Sequence, residues 1–153
     1  KWIEDGRVDC GFLRLPIHSD LETIFLARDP LLVVLPENHP LTKFSRIPAA
    51  ALQEYPFMML EKDGEAEAAA VFAEQGLQPD VRFRTLDDYA IMSMVESGLG
   101  ISILPELILR RIPYHIVTRE LEMPVYREIA LALRGKKQAS AALRRFLDYL
   151  PYR

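Results

Sequence analysis

The sequence predicts an α/β fold built on mostly parallel sheets. Apolar segments of strand length alternate with amphipathic segments of helix length through most of the 153 residues. This alternation is typical of parallel sheets with helices on both faces. The runs Leu31–Leu35, Pro56–Leu60 and Ile101–Leu104 are apolar without polar alternation, which indicates strands buried on both sides.

The N-terminal part is predicted to begin with a strand over Arg7–Leu13, which Pro16 ends. An extended segment follows over 21–28. The dipeptide Asp29-Pro30 is expected to break it, because the residue before a proline is restricted and proline cannot donate a backbone hydrogen bond. The buried strand Leu31–Leu35 then resumes the chain.

The C-terminal part continues the alternation. A helix is predicted over about 65–75, and a second one begins after Thr85, which is expected to cap it with Asp88 three residues on, as in a capping box. The remaining elements are a strand over 81–84, an extended segment over 114–124, a strand over 126–134 and a helix over 140–150. The two extended segments, 21–28 and 114–124, predict paired crossings between two lobes, with a ligand in the cleft.

The segment Met94–Pro105 joins a helix to a buried strand through the turn Gly98-Leu99-Gly100. Glycine permits a positive φ and a close backbone approach at such a turn. Ligands of open α/β sheets gather at strand ends, so this segment suggests a sensor or binding domain. Plain helix-turn-strand packing explains the same pattern, and both interpretations stay open at this point.

Composition excludes several classes of function. The net charge is −3, which argues against a nucleic-acid-binding surface within this chain. No apolar run reaches the roughly 18 residues of a membrane span. The single cysteine, Cys10, excludes an internal disulfide framework, and no histidine is spaced with it as a metal site requires. We therefore predict no metal and no cofactor, and Cys10 as a core thiol.

Two places carry side chains suited to a small anion. Glu61, Lys62 and Asp63 follow a buried strand and precede a helix, where unpaired backbone N–H groups favour a carboxylate. Arg14 follows another strand, and its guanidinium can pair with a carboxylate across a cleft. A solvated loop and a surface arginine are the alternative interpretations. A small carboxylate is the ligand class that these residues favour.

The chain resembles the effector-binding domain of LysR-type transcriptional regulators. Four segments carry the resemblance in order, and together they span nearly the whole chain. They are Gly6–Phe12 (GRVDCGF), Leu31–Leu41 (LLVVLPENHPL), Tyr55–Phe57 (YPF) and Met94–Pro105 (MVESGLGISILP).

The resemblance implies a periplasmic-binding-protein-like fold of two α/β lobes with a small-molecule effector between them. Lobe I, expected over 1–26 and 120–153, is then incomplete, and lobe II covers 27–119. The effector-facing positions carried over are Glu61, Lys62, Asp63, Leu99 and Gly100, with Thr85 as a weaker match. A cytoplasmic homodimer or homotetramer is implied, with DNA bound only through an N-terminal winged helix-turn-helix that this sequence lacks.

Two alternatives stay open. An extracytoplasmic solute-binding protein of the same fold fits the same pattern, and the coding sequence upstream of Lys1 distinguishes it from a regulator. An enzyme on an α/β scaffold is the other alternative. No nucleophile-base pair, phosphate-binding glycine loop or metal set occurs in the sequence, and this counts against an enzyme.

Overall fold

A computed structural model describes residues 1–62 and 66–150 of the chain. It contains two compact units: the first unit is Lys1–Asp29 with Arg127–Arg153, and the second unit is Pro30–Tyr126. The strands are β1 (Cys10–Leu15), β2 (Glu22–Pro36), β3 (Arg46–Ile47), β4 (Pro56–Leu60), β5 (Asp80–Thr85), β6 (Ser102–Pro105), β7 (Ile116–Leu121) and β8 (Tyr126–Leu133). The α-helices are α1 (Glu67–Ala73), α2 (Asp88–Glu96) and α3 (Ala141–Asp148), and short 3-10 helices cover Pro40–Lys43, Ala49–Glu54 and Lys136–Gln138.

The first unit packs one helix on a small antiparallel sheet. Strand β1 pairs with β8 in antiparallel register, and β8 lies beside β2. The Ser140 hydroxyl accepts the N–H of Leu143 at 3.1 Å and starts α3, as serine at an N-cap does. Leu143 and Leu147 of this helix are buried with Leu131 and Leu133 of β8. The predicted strand over 126–134 and helix over 140–150 are confirmed.

Strand β2 is continuous from Glu22 to Pro36, so the predicted break at Asp29-Pro30 is wrong. The Asp29 carboxylate is buried and accepts a hydrogen bond from Arg127 Nε at 2.7 Å. The Pro30 carbonyl accepts the N–H of Glu106 at 2.9 Å. Proline is tolerated in a strand where its missing N–H is not needed, and here its carbonyl still takes part in pairing.

The second unit combines antiparallel and parallel pairing. Strand β2 pairs antiparallel with both β6 and β7, whereas β3 runs parallel to β7 and β4 parallel to β5. The expectation of mostly parallel sheets is right for β4 and β5 and wrong for the sheet around β2. The reason is that an uninterrupted apolar run indicates burial on both faces but carries no information on the direction of the neighbouring strand.

Helices cover both faces of β4, as its apolar sequence predicts. Phe57 belongs to one buried cluster, where its ring lies 5.1 Å from that of Phe72 on α1. Met58 points to the other cluster, with Ile91 and Val95 of α2. Alternate residues of a strand point to opposite faces, so a single apolar segment fills both cores. This arrangement fixes β4, α1 and α2 around the edge where β4 ends.

Candidate functional site

The carboxyl ends of β4 and β5 meet at one edge of the second unit. The two strands are parallel and place Leu60 opposite Thr85. The N–H of Glu61 donates to the Thr85 carbonyl at 3.0 Å, which extends the pairing by one residue. Three of the predicted site residues, Glu61, Lys62 and Thr85, therefore lie together at the end of the strands, where ligands of α/β sheets bind.

Helix α2 begins at the same edge, and Asp87 caps it. The Asp87 carboxylate accepts the N–H groups of Tyr89 at 2.9 Å and Ala90 at 3.4 Å. Thr85 does not cap the helix as predicted, because β5 extends through Thr85 and the helix begins only at Asp88. Instead, Thr85 Oγ1 accepts the N–H of Asp87 at 3.1 Å and orders the turn, a bond typical of threonine in turns.

Two ion pairs organise the charges at this edge. Lys62 Nζ lies 2.9 Å from Asp88 Oδ2, and Arg84 Nη1 lies 2.8 Å from Glu61 Oε2. The Lys62 side chain is 52% exposed, whereas that of Asp88 is 17% exposed. The other oxygen, Asp88 Oδ1, is buried and has no hydrogen-bond partner among residues 1–62 and 66–150. The edge thus presents an accessible ammonium group beside a buried carboxylate oxygen that lacks a donor.

Asp88 was expected only at the start of the helix, and its pairing with Lys62 was not predicted from the sequence. The positions of the two residues after neighbouring parallel strands could have predicted this pairing. Lys62 lies two residues beyond β4, Asp88 lies three residues beyond β5, and the ends of parallel neighbours meet at one edge. A cation after one strand and an anion after the next are therefore expected to meet.

Leu99 and Gly100 lie away from this edge. Helix α2 leads from Asp88 to its far end at Glu96, and the turn follows there. Gly100 packs against the first residue of β4, since a Cβ at this position would lie 2.4 Å from the Pro56 carbonyl oxygen. Leu99 is half exposed. The structure does not bring these two residues together with Lys62, and close packing accounts for the need for glycine at position 100.

The remaining candidates lie elsewhere. Arg14 is in the first unit, half-buried on β1 opposite Ile129, and its role in binding stays a prediction. Asp63 lies outside the described residues. Cys10 is half-buried beside the apolar cluster under α3, and burial, followed by the charge of Asp9, raises the pKa of its thiol, which favours the protonated form.

In the part of the chain that the structure describes, no three histidine, cysteine or acidic side chains cluster as metal ligands would. Among the same residues, no helix has the length and apolar character needed to span a membrane.

Comparison with known proteins decides the family. The family model of the LysR substrate binding domain matches residues 1–152. The chain belongs to this family. It is 32% identical over 150 residues to the uncharacterized HTH-type transcriptional regulator YvbU of Bacillus subtilis, covering 97% of this chain and 51% of that protein. It is 30% identical over 151 residues to the Hca operon transcriptional activator HcaR of Escherichia coli, covering 95% and 51%. The chain thus spans about half the length of these curated relatives.

Solved structures agree with this assignment. The regulatory domain of Synechocystis PCC6803 CcmR, in complex with 2-PG, has a TM-score of 0.85 and 27% identity, with 97% of this chain and 74% of that chain covered. The effector binding domain of QuiR, in complex with shikimate, has a TM-score of 0.81 and 26% identity, with 99% and 74% covered. The LysR resemblance and the periplasmic-binding-protein-like fold are confirmed, and the matches favour a regulator over a solute-binding protein.

Proposed function

We propose that this LysR domain is the effector-sensing part of a transcriptional regulator. The relatives are named as transcriptional regulators, and two similar domains were solved with a small molecule bound. The two compact units, Lys1–Asp29 with Arg127–Arg153 and Pro30–Tyr126, support a division into two lobes, with lobe I near 1–26 and 120–153 and lobe II near 27–119. Effector binding shifts the population of domain conformations, and no chemical step follows it.

The single observation that carries the binding site is the pair of Lys62 and Asp88. The Lys62 side chain is 52% exposed, so a ligand carboxylate can reach its ammonium group and pair with it. The buried Asp88 Oδ1 has no partner within the described residues, and buried polar atoms are nearly always paired. We propose that a ligand hydroxyl donates to this oxygen once the Lys62 side chain turns from Asp88 to the ligand carboxylate.

These two groups together define an effector class. A small hydroxy acid presents a carboxylate to Lys62 and a hydroxyl to Asp88. Shikimate, the ligand of the similar QuiR domain, carries both groups. Arg14, in the first unit, is proposed separately as a residue that pairs with a carboxylate, and Thr85 is proposed as a hydroxyl beside Lys62.

The output of the regulator requires partners outside this chain. We propose that it acts as a homodimer or homotetramer in the cytoplasm and contacts DNA through a winged helix-turn-helix domain. The names of its relatives, which are HTH-type regulators and an operon activator, support this. The net charge of −3 agrees with a chain that does not itself bind the phosphate backbone.

A ligand screen tests the effector class. The melting temperature of the chain is measured with shikimate and other small hydroxy acids, each beside its uncharged methyl ester. We expect hydroxy acids to raise it and the esters to have no effect. Lys62→Met should weaken binding of the best acid by about tenfold or more, since a hydrogen bond to a charged group contributes about 1.5–3 kcal/mol.

The matched control is Lys43→Met, at an exposed lysine beside the Phe44 ring, which should bind the acid as the unmodified chain does. Asp88→Asn should weaken hydroxy acids more than the matching deoxy acids, because the hydroxyl loses its charged acceptor. Stabilisation by uncharged ligands alone, or unchanged affinity in Lys62→Met, would refute the carboxylate site.

A further inference from the structure

A separate cavity of about 370 Å³ lies in the second unit, over strands β2, β7 and β3. Its volume falls within the range of about 300–1,000 Å³ typical of small-molecule sites. None of its lining residues is among the residues described above at the ends of β4 and β5, where Lys62 lies. Its lining includes Leu32, Arg46, Glu106, Thr118, Glu120 and Pro124.

The strand register gathers the polar groups on one face. Glu120 of β7 lies directly opposite Leu32 of β2 and opposite Arg46 of β3. Residues directly opposite each other point to the same side of a sheet, and Thr118, two residues from Glu120, points to that side as well. Glu106 is held at the rim because its N–H donates to the Pro30 carbonyl at 2.9 Å.

The charges of this cavity are mixed and can exchange partners. Arg46 Nε lies 3.0 Å from Glu120 Oε2, and both side chains are largely exposed. Glu106 lies 3.5 Å from Arg110 in a second exposed pair. Exposed ion pairs contribute about 0–1 kcal/mol to stability. The protein therefore loses little stability when a ligand replaces one partner of each pair.

Arg119 also lines the cavity, but its role is structural. Its Nε, Nη1 and Nη2 donate to the carbonyls of Phe44, Thr118 and Thr42 at 3.1, 2.8 and 3.2 Å. These bonds fix the chain before β3, and with it Arg46. The exchangeable groups at the wall are therefore one guanidinium and two carboxylates.

We propose that this cavity binds a small zwitterion of the α-amino acid class. The ligand carboxylate pairs with Arg46 in place of Glu120, and the ligand ammonium lies between Glu120 and Glu106. An apolar side chain rests on Leu32 and Pro124. A purely anionic ligand would take Arg46 from Glu120 and leave the Glu120 carboxylate without a cation, and a purely cationic ligand would pair with Glu120 and leave Arg46 without a carboxylate. The proposal is independent of the hydroxy-acid site at Lys62.

Calorimetric titration of the chain with free L-α-amino acids tests this proposal. For each, the matched amine and the matched carboxylic acid are titrated as well, for example L-leucine with isoamylamine and 4-methylpentanoate. We expect at least one aliphatic amino acid to bind, and its two singly charged analogues to bind about tenfold more weakly or worse. Arg46→Gln and Glu106→Gln should each lower the affinity by a similar factor.

Two controls separate this site from other effects. Arg82→Gln removes an exposed cation paired with Asp80 on β5 and should leave amino acid binding unchanged, as should Lys62→Met. The proposal is overturned if no amino acid binds up to about 10 mM, a free energy of only some 3 kcal/mol. It is also overturned if the amine or acid binds equally well, or if Lys62→Met abolishes binding while Arg46→Gln retains it.

Discussion

Replacing Gly100 with alanine should destabilise the second unit through a single steric contact. The added Cβ would lie 2.4 Å from the Pro56 carbonyl oxygen and 3.2 Å from Met58 Cε, whereas nonbonded carbon atoms settle at roughly 3.5–4.0 Å. The closest atom belongs to the backbone, so no side-chain rotation relieves the contact. The carbonyl that must move also accepts the N–H of Ile101 at 2.9 Å.

The expected loss of unfolding free energy is the sum of the steric cost and the cost of the weakened hydrogen bond. Forced overpacking costs about 1–3 kcal/mol, and weakening the hydrogen bond between Ile101 and Pro56 adds about 0.5–1.5 kcal/mol. We therefore expect Gly100→Ala to lose about 2–4 kcal/mol of unfolding free energy, from a typical total of about 5–15 kcal/mol. Gly100→Val should lose more, because a branched side chain adds further atoms at the same position.

Urea unfolding followed by circular dichroism measures the loss, which corresponds to a midpoint about 1–2 M lower. Gly98→Ala is the matched control. Gly98 has φ +76°, and a Cβ there would meet no described atom within 4 Å, so its cost is conformational, about 1–2 kcal/mol. If Gly100→Ala loses less than Gly98→Ala, the steric argument at Pro56 is refuted.

Two further predictions concern stability. His39 Nδ1 accepts the N–H of Leu41 at 3.2 Å, and burial lowers the pKa of His39. The stability that the neutral His39 ring provides is fully present above about pH 6.5 and is lost as the pH falls through the lowered pKa. The urea midpoint should therefore fall less between pH 7.5 and about pH 5 in His39→Asn than in the unmodified chain, because asparagine caps without titrating. An equal fall in both proteins would contradict this prediction. Asp29→Ala should cost about 3–5 kcal/mol in the same assay, because it leaves Arg127 without its buried partner. Arg28→Ala, in an exposed ion pair between the same strands, should cost under about 1 kcal/mol, and equal losses would contradict the burial argument.

Local chemistry made most elements of the fold predictable. The helix predicted over 140–150 forms α3, which Ser140 caps, and β4 is buried on both faces as its sequence indicates. The failures came where a tertiary contact overrode local preference. Proline after Asp29 predicts a break, yet β2 runs on, with a buried ion pair to Arg127 that is 98 positions away in sequence. Pattern reasoning has no access to such a partner.

The candidate site was only partly predictable for a related reason. Sequence proximity to a strand end selected Lys62, whereas Thr85 was predicted as a helix cap and carried over from the family resemblance; the two residues lie at one edge because parallel strands end together. The resemblance grouped Leu99 with them, although the turn at Leu99 precedes a strand instead of following one. A βα turn and an αβ turn lie at opposite edges of a sheet, so the order of elements around a glycine matters more than the glycine itself.

The segment that identifies the family and the residues that select a ligand are therefore different parts of this chain. Gly100 must be small because β4 passes 2.4 Å from where its side chain would begin, and this constraint belongs to the fold whatever the effector is. Lys62 is 52% exposed and lies outside both buried clusters around β4, so replacing it leaves the core packing of the fold intact. Gly100→Ala should then lower stability and binding together, whereas Lys62→Met should lower binding at unchanged stability. A variant pair that reversed this pattern would show that the recognition surface lies at the glycine turn and not at the ends of β4 and β5.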